Sequence, residues 1–171
     1  MQAEERTLIS FEFMTEKDLP DVLDIFNYYI ENSAAIFFTH TLNTDKMRKL
    51  TIYENSGIYK TFIIKCDNVM CGYVTVKPYS EREAYELTAG VTIILRHDFT
   101  GKKIGSKALD FIENYAREKG LHVLIAGIES GNIPSVKLFE KHNFVKCAHY
   151  REVGRKFGKI LDVADYQKIL N

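Results

Sequence analysis

The sequence predicts one α/β domain of mixed α+β character, a single sheet with helices on both faces. Three observations predict it. Two strand-like runs, Thr61 to Cys66 and Met70 to Lys77, are joined by the tight-turn pair Asp67-Asn68. An apolar strand ending in Val91-Thr92-Ile93-Ile94-Leu95 leads through a glycine-bearing loop into an amphipathic helix, and that helix into a further apolar strand. No linker or internal repeat interrupts the chain, so residues 1–171 are expected to form one domain.

Taken in order, Leu8 to Met14 alternates as a first strand. Thr15-Glu16-Lys17-Asp18 then opens a helix with a capping-box-like start, Asp18 standing where Glu or Gln is usual. Leu19, Val22, Leu23, Ile25, Phe26, Tyr29 and Ile30 give that helix an apolar face, and Pro20 is tolerated in its first turn. A Phe- and Ala-rich loop from Asn32 to Leu42 follows, and Asn43 or Thr44 caps a second helix reaching to about Asn55. After the hairpin, polar residues from Pro78 to Glu83 break the pattern, and Glu86 to Leu95 reads as a central strand. Lys103 to Lys119 is helical, with Ile104, Ala108, Phe111, Ile112 and Tyr115 inward and Gly120 as its stop. Val123 to Ile128 is a buried strand and Asn132 to His142 a short helix. Val145 to Val153 and Ile160 to Leu170 supply the last strands, with Gly154 and Gly158 between them.

Composition excludes several classes. Lys plus Arg and Asp plus Glu each number 23, and this zero net charge argues against nucleic-acid or membrane-surface partners. No apolar run approaches the ~20 residues of a membrane span. A chain of this length buries roughly 70% of its unfolded surface and needs no staples. Cys66, Cys71 and Cys147 are odd in number, and no secretory signal precedes them, so free thiols and a cytoplasmic location are expected. His40, His97, His122, His142 and His149 show no ligand spacing with those cysteines, so no metal is expected.

The chemistry concentrates in Thr100-Gly101-Lys102-Lys103-Ile104-Gly105, between a buried strand and a long helix. A helix start presents unpaired N–H groups and the positive end of a dipole, and glycines let the backbone approach an anion. Lys102 and Lys103 add positive charge. The same glycines also serve a plain turn with close helix packing, and spacing alone does not separate the two readings. A Walker loop lacks its Gly-Lys-Ser/Thr, and a dinucleotide fingerprint lacks its third glycine and ribose acid.

This stretch resembles the coenzyme A motif of the GNAT superfamily of N-acetyltransferases, Gln/Arg-x-x-Gly-x-Gly/Ala. The strand and turn Leu121 to Asn132, the helix Asn132 to Phe139, His142-Asn143-Phe144, and Arg151 to Lys159 with Asp162 and Gln167 resemble its phosphinothricin acetyltransferase branch. Asp24-Ile25-Phe26-Asn27, Ala35-Ile36-Phe37 and Ala84-Tyr85 fit it as well, so the similarity spans nearly the whole chain. The resemblance implies a twisted, mostly antiparallel mixed sheet of about six or seven strands, splayed where acetyl-CoA enters.

In that family the backbone of Ile93, Ile94 and Leu95 pairs with the pantetheine arm like an added strand. The amides of Gly101, Lys102, Lys103, Ile104, Gly105 and Ser106 receive the pyrophosphate, and Asn132 hydrogen-bonds the cofactor from across the splay. Asn132 is equally well placed to cap a helix. The acceptor implied is a small amine, an amino acid or an analogue such as phosphinothricin or methionine sulfone. Phe37, Arg82 and Tyr85 are the residues expected to contact it, and the branch suggests a homodimer.

The chain departs from the family at four positions. Thr100 replaces Arg or Gln, Lys103 replaces Gly, Gly90 replaces a proposed general base, and Phe139 replaces a Tyr acid. Neither glycine nor phenylalanine carries a proton. Glu86 is the nearest carboxylate expected on the Gly90 face, about 13 Å away along an extended strand, and is the candidate catalytic base acting through water. Direct attack by an amine deprotonated in solution is the alternative, with proximity supplying the rate. Two other functions remain open on the sequence: a non-catalytic acyl-CoA-binding sensor, and an acetyltransferase for protein N-termini or lysines.

Overall fold

The computed structural model describes residues 7–170. Its strands are β1 Ile9–Phe13, β2 Lys60–Cys66, β3 Val69–Pro78, β4 Thr88–Leu95, β5 Val123–Glu129, β6 Val145–Lys156 and β7 Lys159–Ile169. They form one sheet in the order β1-β2-β3-β4-β5-β7-β6. Every neighbouring pair is antiparallel except β4 and β5, which run parallel. The helices are α1 Leu19–Asn32, α2 Thr44–Thr51, α3 Ile104–Glu118 and α4 Ile133–Lys141.

Local chemistry explains the boundaries. The Asp18 carboxylate accepts hydrogen bonds from the Thr15 amide at 2.7 Å and hydroxyl at 2.9 Å, opening a short turn from which α1 continues. Asn43 is the cap of α2, accepting from the Lys46 amide at 3.0 Å. That helix stops at Thr51, short of Asn55, because the Thr61 hydroxyl of β2 takes the Thr51 carbonyl at 2.7 Å. Asp67 and Asn68 both have positive φ (50° and 66°), as a two-residue hairpin turn of matching twist requires. The final hairpin turns on Phe157-Gly158 in the same way (φ 50° and 73°), so Gly154 lies within β6 and not in the turn.

One strand begins later than its sequence pattern suggests. The expected Glu86 to Leu95 is shortened to Thr88–Leu95, and Glu83–Tyr85 is a single tight turn that Glu86 closes in a helical conformation. The β3–β4 ladder ends at Pro78 opposite Ala89, and a proline has no N–H to extend it. The Leu87 carbonyl is taken by the amides of His122 and Val123.

Strand alternation sorts the core into two layers. Phe62, Ile64, Val74, Val76, Ala89 and Val91 face α3, meeting Ile104, Ala108, Leu109 and Ile112. Ile63 and Tyr73 face α1 and α2, meeting Leu19, Val22, Ile25, Phe26, Ile30 and Met47. Cys66 and Cys71 are small buried members of the first layer and Cys147 is exposed. Phe111 is only partly buried, stacked on Phe11 at 4.2 Å.

Glu113 of α3 is the one buried carboxylate among the described residues. Lys168 of β7 pairs with it at 2.6 Å and also donates to the His142 carbonyl at 2.7 Å, tying α3, α4 and β7 together. Removing one partner of a buried pair strands the other charge. Lys168→Met is therefore expected to lower stability by about 3 kcal/mol, read as a shifted midpoint in urea unfolding.

Candidate active site

The sheet opens in its middle. β4 and β5 pair over three rows only, Thr88↔Val123, Ala89↔Leu124 and Gly90↔Ile125. Beyond them β4 continues to Leu95 against β3, and β5 continues to Glu129 against β7. Each therefore has a free edge facing a wedge-shaped cleft, lined by backbone N–H and C=O groups that nothing in the sheet pairs. Ile93, Ile94 and Leu95 lie on the β4 lip, although the Leu95 carbonyl already accepts the Tyr29 hydroxyl at 2.7 Å.

The chain leaving β4 makes a short turn at His97–Phe99 and reaches α3 through Thr100 to Lys103. Gly101 has φ +74°, and a Cβ there would meet nothing within 4 Å, so its role is backbone conformation. Gly105 is different: a Cβ would lie 2.9 Å from Leu138, so it permits close packing of α3 on α4. Both plain readings of the two glycines are thus real. They coexist with an anion-ready rim, because the amides of Lys103, Ile104, Gly105 and Ser106 donate to no acceptor among the described residues.

Lys103 is not helical as expected. It is the residue before α3 and sits in the left-handed region at φ 61°, where glycine is favoured. Its carbonyl accepts the Lys107 amide at 3.3 Å. The Lys102 ammonium lies 4.7 Å from the Phe99 ring centre, a ring it shares with Arg96 at 5.2 Å. Asn132, beyond the end of β5, caps α4 by accepting from the Ser135 amide at 3.3 Å.

On the α1 face, the loop after α1 is bound to the β6–β7 hairpin. Lys156 is 5% exposed, and its ammonium donates to the carbonyls of Ser33 at 2.7 Å and Ile36 at 2.6 Å. Burial pushes its pKa down. The Phe37 ring lies directly against Gly154, where any side chain would collide with it. Phe37 and Phe38 keep exposed edges, and Phe38 packs edge-on to Phe26 at 5.8 Å. Arg82 and Tyr85 line a shallow concavity with Tyr79, Ser80 and Glu81, in which Tyr79 and Tyr85 meet edge-on at 5.3 Å.

The residues at the family's acid and base positions have structural roles. Phe139 is buried, packed at right angles on Phe144 with ring centres 5.0 Å apart. Gly90 lies under the stem of Lys77, whose Cγ and Cε would be 3.1 Å from a Cβ at that position. Glu86 does not share a strand face with Gly90, because it precedes β4 in an exposed turn. Lys77 and Asp165 have no signal in the sequence, and Lys156, within the C-terminal stretch Arg151 to Lys159, proves structural. Their placement depends on hairpin register and on contacts spanning the chain. Among the described residues, no group of His, Cys, Asp or Glu is disposed to hold a metal.

Two substitutions test this local account. Lys103→Gly should raise stability by about 1 kcal/mol by relieving the left-handed residue, seen as a higher Tm. Lys156→Met leaves two loop carbonyls unpaired and should cost about 1–3 kcal/mol, with faster amide exchange in the loop after Ser33.

Comparison with known proteins agrees with this geometry. The acetyltransferase (GNAT) family matches residues 26–144. The L-methionine sulfoximine/L-methionine sulfone acetyltransferase of Salmonella typhimurium is 29% identical over 93% of this chain and 93% of its own length. The phosphinothricin N-acetyltransferase of Streptomyces coelicolor is 30% identical over 91% of this chain and 92% of its own. The structure of Salmonella typhimurium yncA with its cofactor acetyl-CoA superposes with a TM-score of 0.83 at 27% identity, covering 95% of this chain and 94% of that one. A sheet parted between β4 and β5, an amide rim at the start of α3 and a family match over most of the chain lead to one conclusion: the protein belongs to the GNAT family of acetyltransferases.

Proposed function

We propose that this enzyme transfers the acetyl group of acetyl-CoA to the amine of an amino acid or amino-acid analogue. The parted strands carry the reading, since a free strand edge running toward an unpaired helix start fits an extended amide chain ending in a pyrophosphate. In this assignment the backbone of Ile93, Ile94 and Leu95 takes the pantetheine arm. The amides from Gly101 through Lys102, Lys103, Ile104 and Gly105 to Ser106 take the pyrophosphate. Asn132 would reach the cofactor from the β5 lip through the part of its side chain not engaged in capping. Lys102 and Lys103 lend charge. The relatives' substrates support an acceptor of the phosphinothricin or methionine sulfone kind, contacted by Phe37, Arg82 and Tyr85.

The reaction is attack of the neutral amine nitrogen on the thioester carbonyl, with cleavage of the C–S bond, departure of CoA as its thiolate and transfer of the nitrogen's proton through water to that thiolate. No residue of β4 offers a base at Gly90, and Glu86 stands off the strand. Holding the two reactants together supplies the main acceleration, for which ~7–11 kcal/mol is accessible in well-oriented systems. The chain is read as one domain and as a cytoplasmic protein. It is read also as a homodimer, for which Val145, Val153, Phe157 and Ile160 of the β6–β7 hairpin are exposed apolar side chains.

Three measurements test this. Acetyl-CoA should bind calorimetrically, and acetyl-pantetheine, which lacks the pyrophosphate, about 100-fold more weakly, the loss of roughly two charge-assisted hydrogen bonds. CoA release should follow addition of methionine sulfone, methionine sulfoximine or phosphinothricin; binding without release from any amine would favour a sensor, and release with peptides alone a protein acetyltransferase. The rate should climb with pH toward the acceptor amine's own pKa and be unchanged in Glu86→Gln. A base limb near pH 6–7 that Glu86→Gln abolishes would overturn direct attack.

A further inference from the structure

Two charged side chains lean over glycines on opposite lips of the cleft. On β4, Gly90 is covered by the stem of Lys77, its cross-strand partner on β3. On β5, Gly127 is covered by Asp165, its partner on β7, whose Oδ1 would be 3.2 Å from a Cβ there. Gly90 pairs with Ile125, and Gly127 lies two residues further along, so both glycines and both charges share one face. It is the α1 face, because Ile94 and Tyr73, in step with Gly90 and Lys77, pack against α1.

Neither charge is neutralised by an opposite one, although the Asp165 carboxylate has the Tyr150 phenol beside it. Among the described residues, Lys77 and Asp165 enter no ion pair. Lys77 is exposed along its length, and partial desolvation where it crosses Gly90 lowers its pKa. The phenol of Tyr150 beside Asp165 has its pKa raised, first by that carboxylate and less by Tyr79.

The spacing suits a small zwitterion. Strands ~4.8 Å apart at the last paired row and ~3.3 Å per residue put Gly127 at least about 8 Å from Gly90 as the cleft opens. Two hydrogen bonds of ~2.8 Å, with the ~3 Å between an α-amino nitrogen and its carboxylate, span much the same distance. We propose that Lys77 and Asp165 form a zwitterion-reading pair for the acceptor, Lys77 binding the α-carboxylate and Asp165 the α-ammonium. This rests on the acetyl-transfer reading for its choice of acceptor. The pairing places the acceptor carboxylate over the last paired row, where the two lips converge, and its nitrogen on the β5 lip, two residues further out.

The test is binding of methionine sulfone and of its carboxamide to the CoA-saturated protein, measured by calorimetry. The unsubstituted protein should bind the acid at least about tenfold more tightly than the carboxamide. Lys77→Met should abolish that preference, Lys77→Arg retain it, and Asp165→Asn weaken both ligands about tenfold or more. Unchanged acetyl-CoA affinity in each variant shows that the fold is intact. The proposal is overturned by a preference that persists in Lys77→Met, by Asp165→Asn binding both ligands as before, or by no preference in the unsubstituted protein. CoA release assayed in parallel bears on acetyl transfer alone, so the two ideas fail separately.

Discussion

The arrangement depends on how briefly β4 and β5 stay together. Three paired rows are enough to hold the two halves of the sheet as one, and too few to consume the backbone of either strand beyond Gly90. An edge with unpaired N–H and C=O groups is costly inside a protein unless water or a ligand satisfies it. In most sheets such an edge lies at the rim, where it invites aggregation. Here it lies in the middle, shielded by α3 on one face and α1 on the other. The cleft is open because the pairing that would have closed it was withheld.

What surrounds the cleft is held by a few polar contacts of large sequence separation. Lys168 joins β7 to α3 through Glu113, and Lys156 joins the last hairpin to the loop after α1. Both ammonium groups exchange water for partners that leave little slack. The Tyr29 hydroxyl does a similar service at the end of β4, taking the Leu95 carbonyl and fixing α1 beside the free edge. The end of the strand edge is thereby anchored, and anchoring of this kind lowers the ordering cost of binding.

Much of this was legible in the residues, and the reasons it was or was not are physical. Alternation in Thr61 to Cys66 and Met70 to Lys77, the Asp67-Asn68 turn and the amphipathic run of α3 act over short distances, so pattern alone located them. The boundary at Glu86 failed because strand propensity does not know that Pro78 ends the neighbouring ladder or that His122 and Val123 claim the Leu87 carbonyl. Lys103 reads as helical because a lysine at the mouth of a helix gives no hint of a left-handed backbone. Lys156 is more than 110 residues from the carbonyls it binds, and nothing local distinguishes it from a surface lysine.

That contact limits how the two segments it joins can be exchanged. The loop after α1 and the β6–β7 hairpin form a matched pair, with an ammonium supplied by one and its oxygen partners by the other, and a phenyl ring in one seated on a glycine of the other. Grafting either segment alone from a relative would break the match, leaving a buried cation without partners or a ring without its seat. A chimera must move the two segments together, so they behave as one block although they lie toward opposite ends of the chain.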